Sequence, residues 1–187
     1  VDNKTFYPNE TPPISHNLLM VANNGLGGYG SHDRKGFELG IKTAMSRNLP
    51  ITIVGPKNNQ NWFDVNPWIG GYPKLSILEN PSNDMLRQIY TSHTIFLHPS
   101  ELEAGHPNLT LLEAAACGLP IVGTLEMETT FHGLWRAPRD LNEILQGLDT
   151  IIKEYHQYRT RAIKTSQELS WLNRSKELIT VYERYFN

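Results

Sequence analysis

Short apolar runs alternate with amphipathic stretches along most of this 187-residue chain. An apolar run of about four to eight residues between turn residues is typical of a buried strand. Such runs predict six strands, the last of them short, at 18–22, 51–55, 75–78, 94–97, 119–123 and 133–135. Because the runs are almost continuously apolar, they favour a parallel sheet that is covered on both faces.

Apolar residues at helical spacing fill the intervals between these runs. The first helix is predicted after Asp33, a candidate N-cap. Further helices are predicted after Ser82, where Met85, Leu86, Ile89 and Tyr90 share a face, and at about 108–117, 140–152 and 171–185. Strands that alternate with helices predict right-handed crossovers. We expect an α/β fold, a Rossmann-like doubly wound parallel sheet of about six strands with helices on both faces.

The first 16 residues differ from the rest of the chain. They hold Pro8, Pro12 and Pro13 among polar residues, so residues 1–16 are predicted to be an extended linker. Residues 17–187 are predicted to be one domain with a single core. The chain starts at Val1 without a methionine or a signal-peptide pattern, which favours a fragment or a processed chain.

Composition argues against several function classes. A net charge of −2 and a pI near 6.4 give no electrostatic reason to expect nucleic acid as a partner. No apolar run approaches the roughly 20 residues that span a bilayer. We therefore expect a cytoplasmic chain without an integral membrane segment, free or peripheral to a membrane.

The single cysteine, Cys117, excludes an internal disulfide, and its alanine neighbours favour a packed core thiol. No D-x-D sequence occurs and the histidine spacing matches no standard metal site, so no metal is expected.

The segment Gly25-Leu26-Gly27-Gly28-Tyr29-Gly30 satisfies G-x-G-x-x-G, the pattern of a dinucleotide-binding loop. A dinucleotide site also needs the helix to start directly after the loop and an acidic residue at the end of the second strand. Here residues 31–36 intervene, and the second strand ends in Val54-Gly55-Pro56-Lys57. The pattern therefore favours another phosphate ligand, with Arg34 and Lys35 supplying positive charge, or a loop without a ligand.

Residues 96–124 carry the most specific pattern in the chain, and Leu111–Thr124 reads LLEAAACGLPIVGT. This segment resembles the donor-binding signature of the retaining glycosyltransferases of the GT-B fold, family four or group one. Val1–Pro8 resembles the linker between the two halves of such enzymes, and Arg34-Lys35-Gly36 resembles their "KG" motif. The resemblance implies that this chain is the C-terminal, nucleotide-sugar-binding half and that the N-terminal acceptor domain is absent.

The resemblance also implies roles for individual residues. Glu113 matches the second glutamate of the E-x7-E motif, which accepts hydrogen bonds from the donor ribose. Glu103 is the best match to the first glutamate, although nine residues separate it from Glu113 and Gly105 holds the strict position. Glu101 is a competing candidate. Lys35 matches the lysine that contacts the diphosphate, and we predict Glu103 and Lys35 as the catalytic pair.

The remaining donor-binding predictions follow the same resemblance. Asn23 stands where the family has an arginine, and Arg34 is the candidate to compensate. Leu78 and Glu79 correspond to the segment beside the nucleobase. The other predicted donor contacts lie in the glycine loop and in the turn into the helix before Glu113: Gly25, Gly27, Gly105, His106, Asn108, Leu109 and Thr110.

The function implied is retaining, metal-independent hexosyl transfer from a UDP- or GDP-sugar, with no further cofactor. The acceptor would be a glycan, a lipid or a protein, and this half alone should bind the donor without turnover. Two alternatives stay open. One is a non-catalytic nucleotide-sugar-binding or scaffolding module, which the Asn23 replacement and the altered glutamate spacing motivate. The other is a sugar-nucleotide epimerase of related fold.

Overall fold

Six parallel strands form one sheet in the computed structural model, which describes residues 1–22, 33–55, 68–79, 81–101, 108–124 and 131–186. The strand order across the sheet is β3-β2-β1-β4-β5-β6, and every pairing is parallel. The predicted Rossmann-like α/β sheet is therefore confirmed. The strands are β1 (Leu18–Val21), β2 (Ile51–Val54), β3 (Leu75–Leu78), β4 (Ile95–His98), β5 (Ile121–Gly123) and β6 (Leu134–Arg136).

Helices follow the strands as the apolar spacing predicts, with one addition. The described helices are α1 (Phe37–Ser46), α2 (Asn83–Thr91), α3 (Leu109–Ala116), α4 (Leu141–Lys153), α5 (Tyr155–Glu168) and α6 (Trp171–Phe186), and Ile69–Gly71 forms a turn of 3₁₀-helix. The sequence pattern does not predict α5, because its buried face combines two tyrosines with the small or polar side chains of Ala162, Thr165 and Ser166 and has no aliphatic stripe. None of the helices in these described ranges is long and apolar enough to cross a membrane.

The two faces of the sheet are covered by different helices. Leu18 and Met20 of β1 lie in one buried cluster, with residues of α1 and α4. Leu19 and Val21 lie in the other, with residues of α2 and α3. Successive side chains of a strand point to opposite faces, so β1 contributes to both cores and is the centre of the domain.

The strand order creates a switch point at the carboxyl edge of the sheet, between β1 and β4. From β1 the chain continues to β2 on one side, whereas β4 continues to β5 on the other. The chain therefore leaves β1 and β4 toward opposite ends of the sheet, and open α/β sheets form their ligand crevice at such a switch point. Arg34 and Lys35 lie in the first connection, and Ser100 and Glu101 lie in the second.

Residues 1–16 contain no strand or helix and pack against the domain. The Phe6 ring meets the Tyr90 ring edge-on, with the centroids 6.0 Å apart. The Arg87 guanidinium lies 3.6 Å from the centroid of the Tyr7 ring. The linker role of this segment stays a prediction.

Candidate functional site

The turn that carries Arg34 and Lys35 is fixed by the start of α1. Gly36 is the N-cap of α1 and has a φ of 75°, in the left-handed region. A Cβ built on Gly36 would lie 2.2 Å from the Pro99 carbonyl oxygen, so only glycine fits against the connection after β4. The prediction of Asp33 as the N-cap is wrong, because the helix begins three residues later, after Gly36. The Asp33 carboxylate nevertheless accepts hydrogen bonds from the amides of Phe37 (3.0 Å) and Glu38 (2.7 Å), because the left-handed Gly36 turns the chain back toward it.

Main-chain hydrogen bonds join this turn to the connection after β4. The Arg34 carbonyl accepts from the Glu101 amide at 2.8 Å and from the Ser100 hydroxyl at 3.3 Å. The Thr124 amide, just after β5, donates to the His98 carbonyl at 3.2 Å. Segments that follow β1, β4 and β5 are thus locked together at the carboxyl edge, and we call residues 33–36 and 98–101 the paired loops.

Arg139 holds the paired loops from the side of β6. Its Nε donates to the Pro99 carbonyl at 3.3 Å, and its Nη2 donates to the Asp33 carbonyl. Its Nη1 lies 3.6 Å from a carboxylate oxygen of Glu101. One guanidinium therefore bridges both loops with the planar donor geometry that arginine supplies. No sequence pattern singles out Arg139, and the one local signal is its place directly before the α4 N-cap, Asp140.

Glu101, the competing candidate for the first glutamate, lies beside Arg139, and its role toward a ligand stays a prediction. The pair is largely open to solvent, with side-chain exposures of 33% for Arg139 and 48% for Glu101. Such exposed pairs contribute little to stability. The arrangement brings Arg34, Lys35 and Arg139 to one edge, where their charges can attract an anion.

The start of α3 is capped by its own side chains. Asn108 is the N-cap, and its Oδ1 accepts from the Thr110 amide and the Thr110 hydroxyl, both at 2.9 Å. Leu109 is 54% exposed, whereas Thr110 is buried. Asn108, Leu109 and Thr110 therefore form a rigid helix start that follows β4, and the positive end of the α3 dipole lies at the carboxyl edge.

Glu113 lies one turn into α3 and is partly exposed between buried neighbours. Its Oε2 accepts a hydrogen bond from the hydroxyl of Tyr90, on α2, at 3.0 Å. Burial raises the pKa of the Glu113 carboxyl, and the hydrogen bond from Tyr90 opposes that rise. Burial and the nearby Glu113 charge raise the pKa of the Tyr90 hydroxyl well above its ordinary value, so Tyr90 stays a hydrogen-bond donor.

Leu78 and Glu79 lie at the end of β3, at the same carboxyl edge but on the outermost strand. The Leu78 carbonyl accepts from the Gly55 amide at 3.0 Å, and the Leu78 side chain is 38% exposed. They stand two strands away from β1, and their role beside a nucleobase stays a prediction.

Several predicted site residues fall outside the described ranges, and their roles stay predictions: Asn23, Gly25, Gly27, Glu103, Gly105 and His106. Cys117 is buried, and burial raises the pKa of its thiol to about 12, which is the behaviour of a core thiol. Within the described ranges no group of three or more His, Cys, Asp or Glu residues could hold a metal ion.

The fold is a doubly wound parallel sheet, with a cationic turn after β1 and a carboxylate on the helix after β4. This is a Rossmann-like α/β domain, a class that binds ligands at the switch point of the sheet. The model of one protein family, described as "Glycosyl transferases group 1", matches residues 27–154. The chain belongs to the group 1 glycosyltransferases.

Solved structures with the same fold agree with this assignment. Sucrose-phosphate synthase from Thermosynechococcus elongatus superposes with a TM-score of 0.77 at 16% identity, over 100% of this chain and 51% of that one. The C-terminal domain of a group 1 glycosyltransferase from Francisella tularensis gives 0.68 at 16% identity, over 89% of this chain and 96% of that one. The pneumococcal O-GlcNAc transferase, solved with UDP and GlcNAc, superposes with a TM-score of 0.67 at 16% identity, over 97% of this chain and 38% of that one.

These superpositions confirm the fold predicted from the resemblance, that of the C-terminal half of a GT-B glycosyltransferase. The chain spans about half the length of the sucrose-phosphate synthase it matches. A search of curated proteins found no match.

Proposed function

We propose that this chain is the donor-binding half of a retaining, metal-independent glycosyltransferase that uses a nucleotide-diphosphate sugar of the UDP or GDP type. One observation carries the proposal. In a member of the group 1 family, the Lys35 turn and the Glu113 helix follow the two strands that flank the switch point. A nucleotide at such a crevice is bound by a cation beside its phosphates and by a carboxylate beside its ribose.

Each side of the crevice has a separate task in this proposal. Lys35, with Arg34, neutralises the diphosphate and stabilises the negative charge that develops as the nucleoside diphosphate departs. The positive end of the α3 dipole is directed toward the same anion. Glu113 accepts hydrogen bonds from the vicinal ribose hydroxyls, since a carboxylate offers two oxygens to two O–H donors. Glu103 is proposed to contact the donor sugar.

The nucleotide to test first is UDP, because the pneumococcal relative was solved with UDP and GlcNAc. We propose that the acceptor, a glycan, lipid or protein, is bound by an N-terminal domain that this chain does not supply. The chain spans about half of the sucrose-phosphate synthase that it matches, which supports this division. The chain alone should then bind a donor without transferring its sugar.

A non-catalytic nucleotide-sugar-binding module is the second candidate. Two observations favour it, namely Asn23 in place of the family arginine and the nine residues between Glu103 and Glu113. A missing cation at the diphosphate would weaken transition-state stabilisation more than donor binding, because charge develops there during transfer. Transfer by the chain joined to a group 1 N-terminal domain would separate the two candidates, since only the enzyme proposal predicts turnover.

The proposal is tested by titrating UDP-, GDP- and ADP-sugars into the chain by calorimetry, with Lys35→Ala as the variant. Loss of a charge-assisted contact should weaken binding by roughly tenfold or more. Lys74→Ala is the matched control, because Lys74 lies before β3 at the opposite edge of the sheet and donates to the Asn48 carbonyl. The folded chain binding none of these sugars, or Lys35→Ala and Lys74→Ala behaving alike, would contradict the proposal.

A further inference from the structure

The Tyr90 side chain is fully buried, yet its hydroxyl reaches a carboxylate of the candidate site. Tyr90 has an exposed fraction of 0% and lies near the end of α2. Its hydroxyl is 3.0 Å from Glu113 Oε2 and 3.5 Å from the Thr110 carbonyl oxygen. A phenol has one proton to donate, and the shorter distance to a charged acceptor assigns that proton to Glu113.

Two aromatic neighbours fix the Tyr90 ring. Phe6, from residues 1–16, meets it edge-on at 6.0 Å between centroids, and Phe96, from β4, lies at 6.0 Å with a tilt of 46°. A ring held from both sides cannot follow a moving carboxylate, so the hydroxyl is a stationary donor. The donor is therefore anchored to the same strand, β4, that leads into the candidate site.

Glu113 retains acceptor capacity after this hydrogen bond. A carboxylate offers about four acceptor positions, and Tyr90 occupies one of them. Glu113 is partly exposed, so a ligand can approach the carboxylate while Oε2 is anchored from the core side. The Val1 ammonium also attracts the Glu113 carboxylate, but the hydrogen bond from Tyr90 is directional and selects one of the staggered rotamers of the glutamate side chain.

We propose that Tyr90 is a positioning residue that fixes the Glu113 carboxylate in the orientation needed to bind the two ribose hydroxyls of the nucleotide. This inference rests on the proposed function. Tyr90 does not touch the ligand. It raises affinity by removing rotational freedom from Glu113 before binding, which lowers the entropy lost when the carboxylate is ordered.

The test compares Tyr90→Phe with the unsubstituted chain, using UDP, GDP and their 2′,3′-dideoxy counterparts as probes. The unsubstituted chain should bind the ribonucleotide at least roughly tenfold more tightly than its dideoxy form. Tyr90→Phe should weaken ribonucleotide binding by roughly three- to tenfold and leave dideoxynucleotide binding unchanged within about twofold. A purely structural role would weaken both equally.

Tyr72→Phe is the matched control. Tyr72 is partly buried, and like Tyr90 it donates its hydroxyl inside the fold, here to the Leu49 carbonyl at 2.7 Å, but it lies against the other face of the sheet. Its variant should lose a comparable amount of thermal stability and keep the full preference for the ribonucleotide. If Tyr72→Phe also abolishes the preference for the ribonucleotide, the loss reflects a general decrease in the stability of the fold, and the inference is overturned.

A second variant covers the case in which Tyr90→Phe folds poorly. In Glu113→Leu no carboxylate remains for Tyr90 to orient, and adding Tyr90→Phe removes the hydroxyl that would otherwise stay unpaired. The double variant should bind the ribonucleotide within about twofold of Glu113→Leu alone, because Tyr90 acts through the carboxylate. Additive losses would overturn the inference.

The remaining outcomes separate this inference from the proposed function. A chain that binds neither UDP nor GDP contradicts the proposed function, and the inference falls with it. A chain that prefers the ribonucleotide, and keeps that preference in Tyr90→Phe, leaves the function standing and overturns the role of Tyr90 alone.

Discussion

The two sides of the crevice are built by different means. On the side of the paired loops, residues 33–36 and 98–101, geometry is set by backbone carbonyls and by the conformation of Gly36. On the side of α3, it is set by side-chain hydrogen bonds, because Asn108 caps the helix and Tyr90 donates to Glu113. The loop side should therefore tolerate most side-chain changes and fail at its glycine, whereas the α3 side should respond to the loss of single polar atoms.

The largest expected effect is on the loop side, at Gly36→Ala. Alanine must adopt a φ of 75° and place its Cβ 2.2 Å from the Pro99 carbonyl oxygen. Left-handed backbone alone costs about 1–2 kcal/mol, and the overlap with backbone adds to it. We expect a loss of at least about 3 kcal/mol in the free energy of unfolding, measured by urea denaturation.

Gly71→Ala is the control for this change. Nothing lies within 4 Å of a Cβ built on Gly71. Its cost should stay within about 0.5 kcal/mol. Equal losses at Gly36 and Gly71 would show that the contact between the paired loops does not constrain the fold.

The next largest effect is expected on the α3 side, at Glu113→Leu. This change leaves the buried Tyr90 hydroxyl without its acceptor, which costs about 1–3 kcal/mol, and the Thr110 carbonyl at 3.5 Å is a poor replacement. In the double variant Tyr90→Phe with Glu113→Leu, no polar atom of the pair remains. We expect it to recover most of the loss in urea denaturation, and simple additivity would refute the pair as a coupled unit.

Arg139→Ala removes the side-chain bridge across the paired loops, so it tests whether side chains also support the loop side. Two hydrogen bonds to carbonyls and one exposed ion pair disappear, while the backbone hydrogen bonds remain. We expect a loss of about 1 kcal/mol in unfolding free energy. We also expect roughly three- to tenfold weaker binding of UDP or GDP in calorimetry.

Arg47→Ala is the matched arginine control. Arg47 lies at the end of α1, at the opposite edge of the sheet, and forms a two-pronged ion pair with Asp149 at 2.6 and 2.8 Å. Because the pair is exposed, its loss should cost at most about 1 kcal/mol. Nucleotide affinity should not change, and equal binding losses in both variants would remove Arg139 from the site.

The smallest expected effect is a pH dependence on the α3 side. Burial raises the pKa of Glu113, so its contribution to stability is present below the ordinary carboxyl pKa and is lost as the pH rises through the raised value. Glu113→Gln should therefore gain stability relative to the unsubstituted chain between about pH 4 and about pH 7. Thermal unfolding at both pH values measures this trend.

Asp149→Asn provides a control of opposite sign. Its hydrogen bond from Arg47 lowers the pKa of Asp149, so that contribution is present above the ordinary carboxyl pKa and is lost as the pH falls. Asp149→Asn should therefore lose stability relative to the unsubstituted chain as the pH rises from about 2 to about 4, and change little from there to about pH 7. A Glu113→Gln difference that follows the same sign as Asp149→Asn would mean that Glu113 is not desolvated.

Regular elements of this fold could be predicted from the sequence because burial repeats with their own periods. The predicted strands 18–22 and 51–55 agree with β1 and β2 to within one residue. The helical spacing puts Met85 on the apolar face of α2, but its side chain is 54% exposed, since a stripe of four residues defines the helix better than its orientation. The buried face of α5 has no aliphatic period, so the pattern does not predict this helix.

The site could be predicted only where a motif carried it. Lys35 and Glu113 follow from local patterns, whereas their supports come from distant positions. Arg139 reaches a carbonyl 106 residues away, and Tyr90 reaches Glu113 across 23 residues. The sequence marks Tyr90 only as part of an apolar helix face, because periodicity describes where a ring is buried and says nothing about where its hydroxyl ends.

Under the proposed function a nucleotide binds at the carboxyl edge, between the Lys35 turn and the start of α3. A crystal structure of the chain grown with UDP or GDP would locate it. We expect the diphosphate beside Lys35 and a ribose hydroxyl within about 3 Å of a Glu113 oxygen, with Tyr90 still bonded to Oε2. A nucleotide bound elsewhere, or a ribose that does not contact Glu113, would contradict it.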